Sequence, residues 1–307
     1  TYFQRDSDTS YFRRKVFAHQ IRTEGGLTMT KKSGAGRGKT SPFFVVLFIL
    51  LAIYSLILIG LLVWAMISAF KTPRDFQTNP VGLPEKIVNN FGEAIKLYKI
   101  QVGGVKGRPR YAMFPQMLFN SVMYSVGCAL FNTIVICLTA YCCARYKYRL
   151  SKIVYAVVLI TMTIPIVGSL PSQIQVAQTL RIYNKIWGMW LQSASFLGLY
   201  FLVFYETFAS LPNSFFEAAR IDGADDLSLI FRIALPLAKN VFLTIFLLNF
   251  ITYWNDYQTP LLFLKSMPVL SYGLYLITQS NAYVPMIMAA ATVVLAPVIV
   301  IFVFANK

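Results

Sequence analysis

Charged residues are scarce in this chain of 307 residues. Asp, Glu, Lys and Arg make up 13% of it, about half the share usual in soluble domains, whereas 57% of the residues are hydrophobic. High hydrophobicity excludes a disordered basic protein. Although the net charge is +16, the low charge content argues against a soluble nucleic-acid-binding protein.

Residues suited to catalysis or metal binding are also few. The only histidine, His19, lies in a basic segment, and the charge-free stretches hold no pair of acids. All four cysteines, Cys128, Cys137, Cys142 and Cys143, fall in one apolar stretch without the spacing of zinc ligands. A membrane enzyme is therefore poorly supported, and we expect no metal site and no cofactor in this chain.

Long stretches of the chain contain no Asp, Glu, Lys or Arg at all. They cover 43–70, 111–144, 153–180, 186–205, 240–255 and 266–306. About 20 apolar residues in a helix cross a bilayer core, and charges avoid such spans because lipid cannot solvate them. We predict an all-α polytopic membrane protein with six transmembrane helices, near 43–67, 117–143, 153–172, 187–208, 238–256 and 284–305.

The basic residues predict the orientation of the chain. Segment 1–42 holds nine Lys and Arg, and 144–152 holds four without an acid. With six spans both lie on one side, which the positive-inside rule makes cytoplasmic. We expect a cytoplasmic N-terminal tail, 1–42, followed by a transmembrane domain, 43–307. The 71–115 loop is then external, although it carries eight Lys and Arg against three acids.

The basic tail contains a partial match to a phosphate-binding loop. Gly38-Lys39-Thr40 resembles the end of that motif, but Ser33 occupies the position of its first glycine. A polar stretch precedes the match and a membrane span follows, where the motif needs a strand and a wrapping helix. We interpret the tail as a basic segment near anionic lipid head groups.

Segment 209–238 has the signals of two short helices joined by a turn. Pro212 blocks continuation of the preceding helix, and the pair Ser214 and Glu217 predicts a capping box that starts a new one. Gly223 can adopt a positive φ and end that helix.

The second helix of this segment begins near an acidic pair. Asp225 or Asp226 can cap it, and Pro236 limits it before the next span. We predict a helix–turn–helix on the cytoplasmic face, with an amphipathic loop packed on its own bundle as the alternative. Nucleic acid is a poor partner, because 206–240 has five acids against three basic residues.

The same segment resembles a known sequence motif. Glu217-Ala218-Ala219, Gly223 and Ile233-Ala234-Leu235-Pro236 match in spacing the EAA loop of ABC-importer permeases, and Trp254-Asn255-Asp256 resembles their carbohydrate-uptake branch. The resemblance covers roughly 43–307. It implies a permease subunit that moves a sugar or oligosaccharide by alternating access and does not itself hydrolyse ATP.

The resemblance also implies partners and a location. These are a second, non-identical permease, two cytoplasmic ABC ATPase subunits that hold ATP and Mg, an extracellular or periplasmic solute-binding protein, and the lipids of a bacterial inner membrane. The residues it implies for ATPase coupling are Glu217, Ala218, Ala219, Asp222, Gly223, Ala224, Leu235 and Pro236.

Polar side chains within the predicted spans are candidates for the substrate path. They are Asn120, Asn132, Gln173, Gln175, Asn249, Tyr253 and Asn255. Hydrogen bonding between helices is the alternative role for each. We expect Trp254 in an interfacial aromatic belt and Asp256 at the outer water boundary, without a special role.

Other functions remain open from the sequence. An ABC-importer permease for another solute, such as a polyamine or glycerol phosphate, shares every feature above. A membrane anchor or receptor without transport is a further alternative, against which the spacing of 217–236 argues.

Overall fold

The computed structural model describes residues 42–105, 108–146, 148–164 and 168–305. His19, the Gly38-Lys39-Thr40 match and the rest of the predicted tail through residue 41 lie outside these residues. The chain divides into two compact units, 1–59 and 60–307, with the boundary inside the first helix. The predicted boundary between 42 and 43 stays a prediction.

The described residues are mostly helical. The helices are α1 (Pro42–Ser68), α2 (Pro73–Thr78), α3 (Asn90–Leu97), α4 (Phe114–Arg145), α5 (Arg149–Thr163), α6 (Leu170–Thr179), α7 (Ile186–Ser193), α8 (Leu199–Ala209), α9 (Asn213–Ile221), α10 (Asp226–Leu237), α11 (Lys239–Asn255), α12 (Gln258–Phe263), α13 (Leu270–Gln279) and α14 (Val284–Ala305). The strands are β1 (Lys99–Val105) and β2 (Arg108–Met113).

Three of the described helices are long and apolar enough to cross a membrane. They are α1, α4 and the part of α14 from Val284 to Ile301. A fourth span results if α10 and α11 count as one helix bent by 78°. The structure is therefore that of a helical, multi-span membrane protein, and six spans remain a proposal.

The prediction of one continuous helix over 187–208 is wrong. Helix α7 ends at Ser193 and α8 begins at Leu199. Gly198 adopts φ 122°, a conformation that other residues rarely take, so the helix cannot continue through it. The amide of Asn132 in α4 donates to the carbonyls of Ser193 and Ser195, at 2.7 and 3.1 Å. These bonds satisfy carbonyls that the break leaves without helical partners.

The predicted span 153–172 is likewise interrupted. Helix α5 ends at Thr163 and α6 begins at Leu170. Residues 165–167 lie outside the described part of the chain. Since α5 has 15 residues, it is too short to cross a bilayer core by itself.

The 71–115 loop is folded, and it contains the one sheet in the described residues. Strands β1 and β2 pair antiparallel, with Lys99 opposite Met113 and an irregularity between Gln101 and Gly103. The fold is otherwise helical, in agreement with an all-α membrane protein, and this two-stranded hairpin is an addition that the sequence did not predict. One basic residue of the loop has a structural role, because Lys71 is fully buried and its Nζ donates to the carbonyls of Asn79 (2.6 Å) and Pro80 (3.2 Å).

Helix α4 is the central element of the second unit and packs against α7, α8, α11 and α13. Near its C-terminal end, Tyr141 belongs to a buried cluster with Phe208 and Phe216. Near its N-terminal end, Met117 belongs to a second cluster with Phe250 and Trp254. The helix thus joins segment 209–238 to the opposite end of the bundle.

Candidate coupling elbow and transport path

Segment 209–238, called the elbow here, begins its first helix at Asn213. Pro212 occupies the N-cap position with extended backbone, φ −60° and ψ 134°. No side chain caps this helix, and Ser214 lies inside its first turn. The predicted capping box of Ser214 and Glu217 is therefore wrong, because the N-cap is Pro212, two residues before the position that the box requires.

The turn of the elbow depends on Gly223. Its φ is +81°, as the sequence predicted. The N–H of Ala224 donates to the carbonyl of Ala219 (2.9 Å), and the N–H of Gly223 donates to that of Arg220 (3.1 Å). This pair of bonds is a Schellman motif, which satisfies the last carbonyls of α9 and requires a left-handed residue at the glycine position.

The second helix of the elbow, α10, is capped by Asp225. Its carboxylate accepts a hydrogen bond from the Ser228 N–H at 3.1 Å, which agrees with one of the two predicted caps. Hydrogen bonds from the Ser228 side chain and backbone lower the pKa of the Asp225 carboxyl below its ordinary value. An exposed ion pair, Arg220 to Asp226 at 3.3 Å, also crosses the turn and contributes little to stability.

Helix α10 contains a π-helical turn, Leu229–Ala234. Pro236 follows it and has no N–H, so the carbonyl four residues earlier cannot receive its usual helical bond. The backbone hydrogen bonds of this turn instead join residues five positions apart, as in the bond from the Leu235 N–H to the Ile230 carbonyl. The 78° bend between α10 and α11 comes directly afterwards.

The exposed face of the elbow, which points away from the bundle, combines polar groups with apolar ones. Of the predicted coupling residues, Glu217, Ala218, Asp222, Gly223 and Pro236 are exposed, and Ala219, Ala224 and Leu235 are half-buried. The side chain of Glu217 forms no hydrogen bond or ion pair with any described residue. Large apolar side chains beside them are also exposed, namely Phe215, Ile221, Leu227 and Phe231. Such a patch on a folded protein marks an interaction surface.

The elbow is attached to α4 through Arg145. The guanidinium carbon of Arg145 lies 3.7 Å from the Phe216 ring centre, and its Nη1 donates to Asn213 Oδ1 at 2.9 Å. A cavity of about 160 Å³ opens here, lined also by Tyr141 and Glu217. The Nε and Nη2 atoms of Arg145 are buried without an acceptor among the described residues. Sequence reasoning missed this residue, because only the charge of the 144–152 link was considered.

Several predicted path residues bind other segments of the bundle, in helices or in the loops between them. Asn120 donates to the Pro268 carbonyl at 3.0 Å, and Asn249 donates to Thr133 Oγ1 at 3.1 Å. Asn132 binds the break between α7 and α8, as described above. The alternative role, hydrogen bonding between helices, thus accounts for contacts of these three buried residues.

The other predicted path residues lie at less buried positions. Gln173 accepts a hydrogen bond from Gln192 Nε2 at 3.3 Å, and Gln175 is exposed. Tyr253 is half-buried against the ring of Tyr124. Asn255 is exposed and donates to the Ile251 carbonyl of its own helix. The structure does not bring all seven predicted residues into one site.

The expectation for Trp254, at the end of α11, is wrong, and Asp256, the residue after this helix, has bonds that the sequence did not indicate. Trp254 is 2% exposed, and its indole N–H donates to the Val294 carbonyl of α14 at 3.1 Å. It is a packing residue because α14 covers it, and not part of an interfacial belt. Asp256 accepts hydrogen bonds from the Tyr124 hydroxyl (3.0 Å) and the Thr259 N–H (3.1 Å), so it joins α4 to the start of α12.

Comparison with protein families matches residues 132–307 to the binding-protein-dependent transport system inner membrane component. The chain belongs to this family. It is an ABC-type transport permease of the inner membrane, as the EAA-like spacing in the elbow indicated.

Curated relatives support this assignment. The permease is 25% identical over 283 residues to the diacetylchitobiose uptake system permease protein NgcG of Streptomyces coelicolor. The alignment covers 89% of this chain and 88% of the relative. It is 31% identical over 151 residues to the sn-glycerol-3-phosphate transport system permease protein UgpE of Yersinia enterocolitica, over 49% and 53% of the two chains.

A solved structure has the same fold. It is the crystal structure of a bacterial ABC transporter involved in the import of the acidic polysaccharide alginate, and the TM-score is 0.68 at 22% identity. The match covers 86% of this permease and 95% of that chain. At this identity the likeness concerns the fold alone.

Proposed function

We propose that this permease imports a sugar or oligosaccharide by alternating access, driven by a partner ATPase. The observation that carries the choice of solute is the alignment with the diacetylchitobiose permease, which extends over nine-tenths of this chain. The matches to glycerol-3-phosphate permeases cover only about half of it.

The proposed assembly follows from the family and the charge pattern. Six spans place the N-terminal tail, the 144–152 link and the elbow in the cytoplasm, and 71–115 outside. Interrupted helices complete the six, with α5 and α6 as the third span and α7 and α8 as the fourth, because non-helical backbone at membrane depth is tolerated inside a protein or beside a cavity. The partners are a second permease, two ATPase subunits holding ATP and Mg, and a solute-binding protein.

The proposed coupling residues lie on the exposed face of the elbow. Glu217 has no partner among the described residues, so its carboxylate is free to bind an ATPase subunit. Ala218 and Ala219 allow close approach, and the exposed Phe215 and Ile221 supply apolar area that a partner can bury. Movement of the elbow reaches the bundle through Arg145 and through the bend between α10 and α11.

The proposed path lies beside the break at 194–198. Asn132 of α4 binds the Ser193 and Ser195 carbonyls directly, and Gln173 of α6 is bonded to Gln192, next to Ser193. Asn249 of α11 is bonded to Thr133, the residue that follows Asn132. Gln192, which binds Gln173, has a buried Oε1 without a donor among the described residues. An unsatisfied acceptor is suited to a sugar hydroxyl, because leaving it unbonded costs free energy.

A glycerol phosphate is the second candidate solute, because the chain is 31% identical to a glycerol-3-phosphate permease over residues that span half of it. The complete complex in nanodiscs, with its solute-binding protein, separates the candidates. ATP hydrolysis is measured with N-acetylated disaccharides, other oligosaccharides, glycerol 3-phosphate and a polyamine. We expect stimulation by a saccharide. Stimulation by glycerol 3-phosphate or the polyamine alone would overturn the sugar assignment.

A further inference from the structure

One edge of the Arg145 guanidinium has no hydrogen-bond acceptor among the described residues. Nη1 is engaged, because it donates to Asn213 Oδ1 at 2.9 Å, and the flat face of the group lies on the Phe216 ring. Nε and Nη2 are buried from solvent and donate to no described atom. These two nitrogens share one edge of the guanidinium, where their N–H groups point in parallel and match the two oxygens of a carboxylate. The free edge is therefore suited to a carboxylate ligand.

A carboxylate of the same chain lies beside this edge. Glu217 and Arg145 both line the cavity of about 160 Å³, and Glu217 is the one acidic residue among the described residues of its lining. Asn213 and Glu217 are four positions apart in α9, so their side chains are neighbours on one face of that helix. Since Asn213 already binds the guanidinium, rotation of the Glu217 side chain is enough to bring its carboxylate toward the free edge.

The other charged groups around the cavity already have partners. Arg220, which also belongs to the lining, forms an ion pair with Asp226 at 3.3 Å. The Asp225 carboxylate caps α10. Near the cavity, within the described part of the chain, the Glu217 carboxylate and the free edge of Arg145 thus remain as charged groups of opposite sign without a partner. A buried charged donor without an acceptor costs free energy, so a bound carboxylate would stabilise this edge.

We propose that Glu217 has two alternating partners and acts as a latch on Arg145. In the permease without its ATPase, the carboxylate turns inward and accepts hydrogen bonds from Nε and Nη2 of Arg145. An ATPase subunit that docks on the elbow turns the carboxylate outward, to the exposed position that Glu217 has in the structure. The inference rests on the proposed function, in which Glu217 binds an ATPase subunit, and it adds an internal competitor for the same carboxylate.

Competition for Glu217 links ATPase binding to the attachment of the elbow. With the latch closed, Arg145 holds α9 through Asn213, Phe216 and Glu217. With the latch open, the contacts to Asn213 and Phe216 remain, so fewer bonds oppose movement of the elbow against α4. The linkage is reciprocal, because a contact that ATPase binding must break lowers the affinity for the ATPase by the same factor. Removal of Arg145 should therefore favour ATPase binding more when Glu217 is present than when it is absent.

The test is a double-mutant cycle on the dissociation constant of the ATPase. The full-length permease is reconstituted with its partner permease in nanodiscs and titrated with purified ATPase subunits, for the wild type, Arg145→Gln, Glu217→Gln and the double variant. General effects of Arg145→Gln on the elbow occur in both backgrounds and cancel in the cycle. We expect Arg145→Gln to tighten ATPase binding roughly fivefold more in the wild-type background than in the Glu217→Gln background.

The matched control is the same cycle with Arg220→Gln in place of Arg145→Gln. Arg220 lines the same cavity three positions from Glu217, but Asp226 is already its partner, so this cycle should show no coupling. If Glu217→Gln abolishes ATPase binding, the Arg145 cycle is measured instead on the ATPase-free permease, unfolded by SDS in mixed micelles. The latch then predicts a coupling of roughly fivefold or more in the unfolding equilibrium constant.

Three results would overturn the proposal. The first is an additive cycle, in which Arg145→Gln has the same effect in both backgrounds, because the free edge would then be satisfied by water. The second is coupling of the opposite sign, which would show that Arg145 and Glu217 bind the ATPase together. The third is an equal coupling in the Arg220 cycle, which would indicate a general effect of charge. A wild-type permease pair that binds no ABC ATPase would overturn the proposed function itself, and so differs from all three.

Discussion

At the scale of single residues, Gly223 gives the sharpest prediction. No described atom lies within 4 Å of a Cβ built on it, so only the positive φ disfavours other residues there. Asn tolerates this conformation, whereas a β-branched residue does not. We expect Gly223→Asn to retain most transport and Gly223→Val to lose it, with a conformational cost of about 1–3 kcal/mol. ATP-driven uptake in proteoliposomes measures the difference.

Gly92→Val is the matched control for Gly223, because Gly92 also has open space around it but lies in α3 of the predicted external segment, with an ordinary backbone conformation. Equal uptake by the Gly223→Val and wild-type permeases would show that the turn has no part in coupling.

Asn132 carries a second prediction at this scale. Its amide donates two hydrogen bonds to the break between α7 and α8. Asn132→Leu leaves the Ser193 and Ser195 carbonyls without these donors, so we expect the free energy of unfolding to fall by about 1–3 kcal/mol. Thermal unfolding of the purified protein measures it. Asn255→Leu is the control, because exposed Asn255 binds only its own helix, and an equal loss of stability in both variants would contradict the account.

Single residues also mark where sequence reasoning succeeds. The turn at Gly223 was predicted correctly, and the cap of the second helix was narrowed to Asp225 or Asp226, because these helix ends depend on a few neighbouring residues. The contacts of Trp254 and Asp256 were not predicted, because their partners, Val294 and Tyr124, are 40 and 132 positions away in the chain. A side chain at a predicted span end has the same local sequence whether another helix covers it or lipid does.

At the scale of elements, the contact between α4 and α9 should determine coupling. Arg145→Lys keeps the charge but loses the planar stacking on Phe216 and the geometry toward Asn213. We expect ATP hydrolysis to persist while sugar uptake per ATP falls severalfold. Arg149→Lys, at an exposed position in the same link, should leave that ratio unchanged. If both variants had the wild-type ratio, Arg145 would not transmit the movement of the elbow.

Elements were predicted best where the apolar stretch is uninterrupted. Helices α1, α4 and α14 follow directly from the charge-free stretches 43–70, 111–144 and 266–306. The break after α7 could not be predicted, because Gly198 alone is tolerated in many spans and its effect depends on Asn132 from another helix. The β-hairpin was missed because 71–115 was considered only for its charge.

At the scale of the whole molecule, the distribution of charge and the spacing of the elbow predicted the family that the comparison confirmed. The sequence did not explain the excess of basic residues in 71–115, the loop predicted to be external, because topology rules account for basic residues on the cytoplasmic side. The structure gives one of these residues, Lys71, a buried hydrogen-bonding role.

The proposed function makes this chain the sugar-moving permease of an ATP-driven importer, with the elbow as its coupling element. The most direct test measures accumulation of labelled oligosaccharide in proteoliposomes that contain the complete complex, its binding protein and ATP. We expect accumulation against a gradient, which disappears without ATP and when Gly223→Val replaces the wild-type permease. Accumulation that persists in that variant, or ATP hydrolysis without uptake of any saccharide, would contradict it.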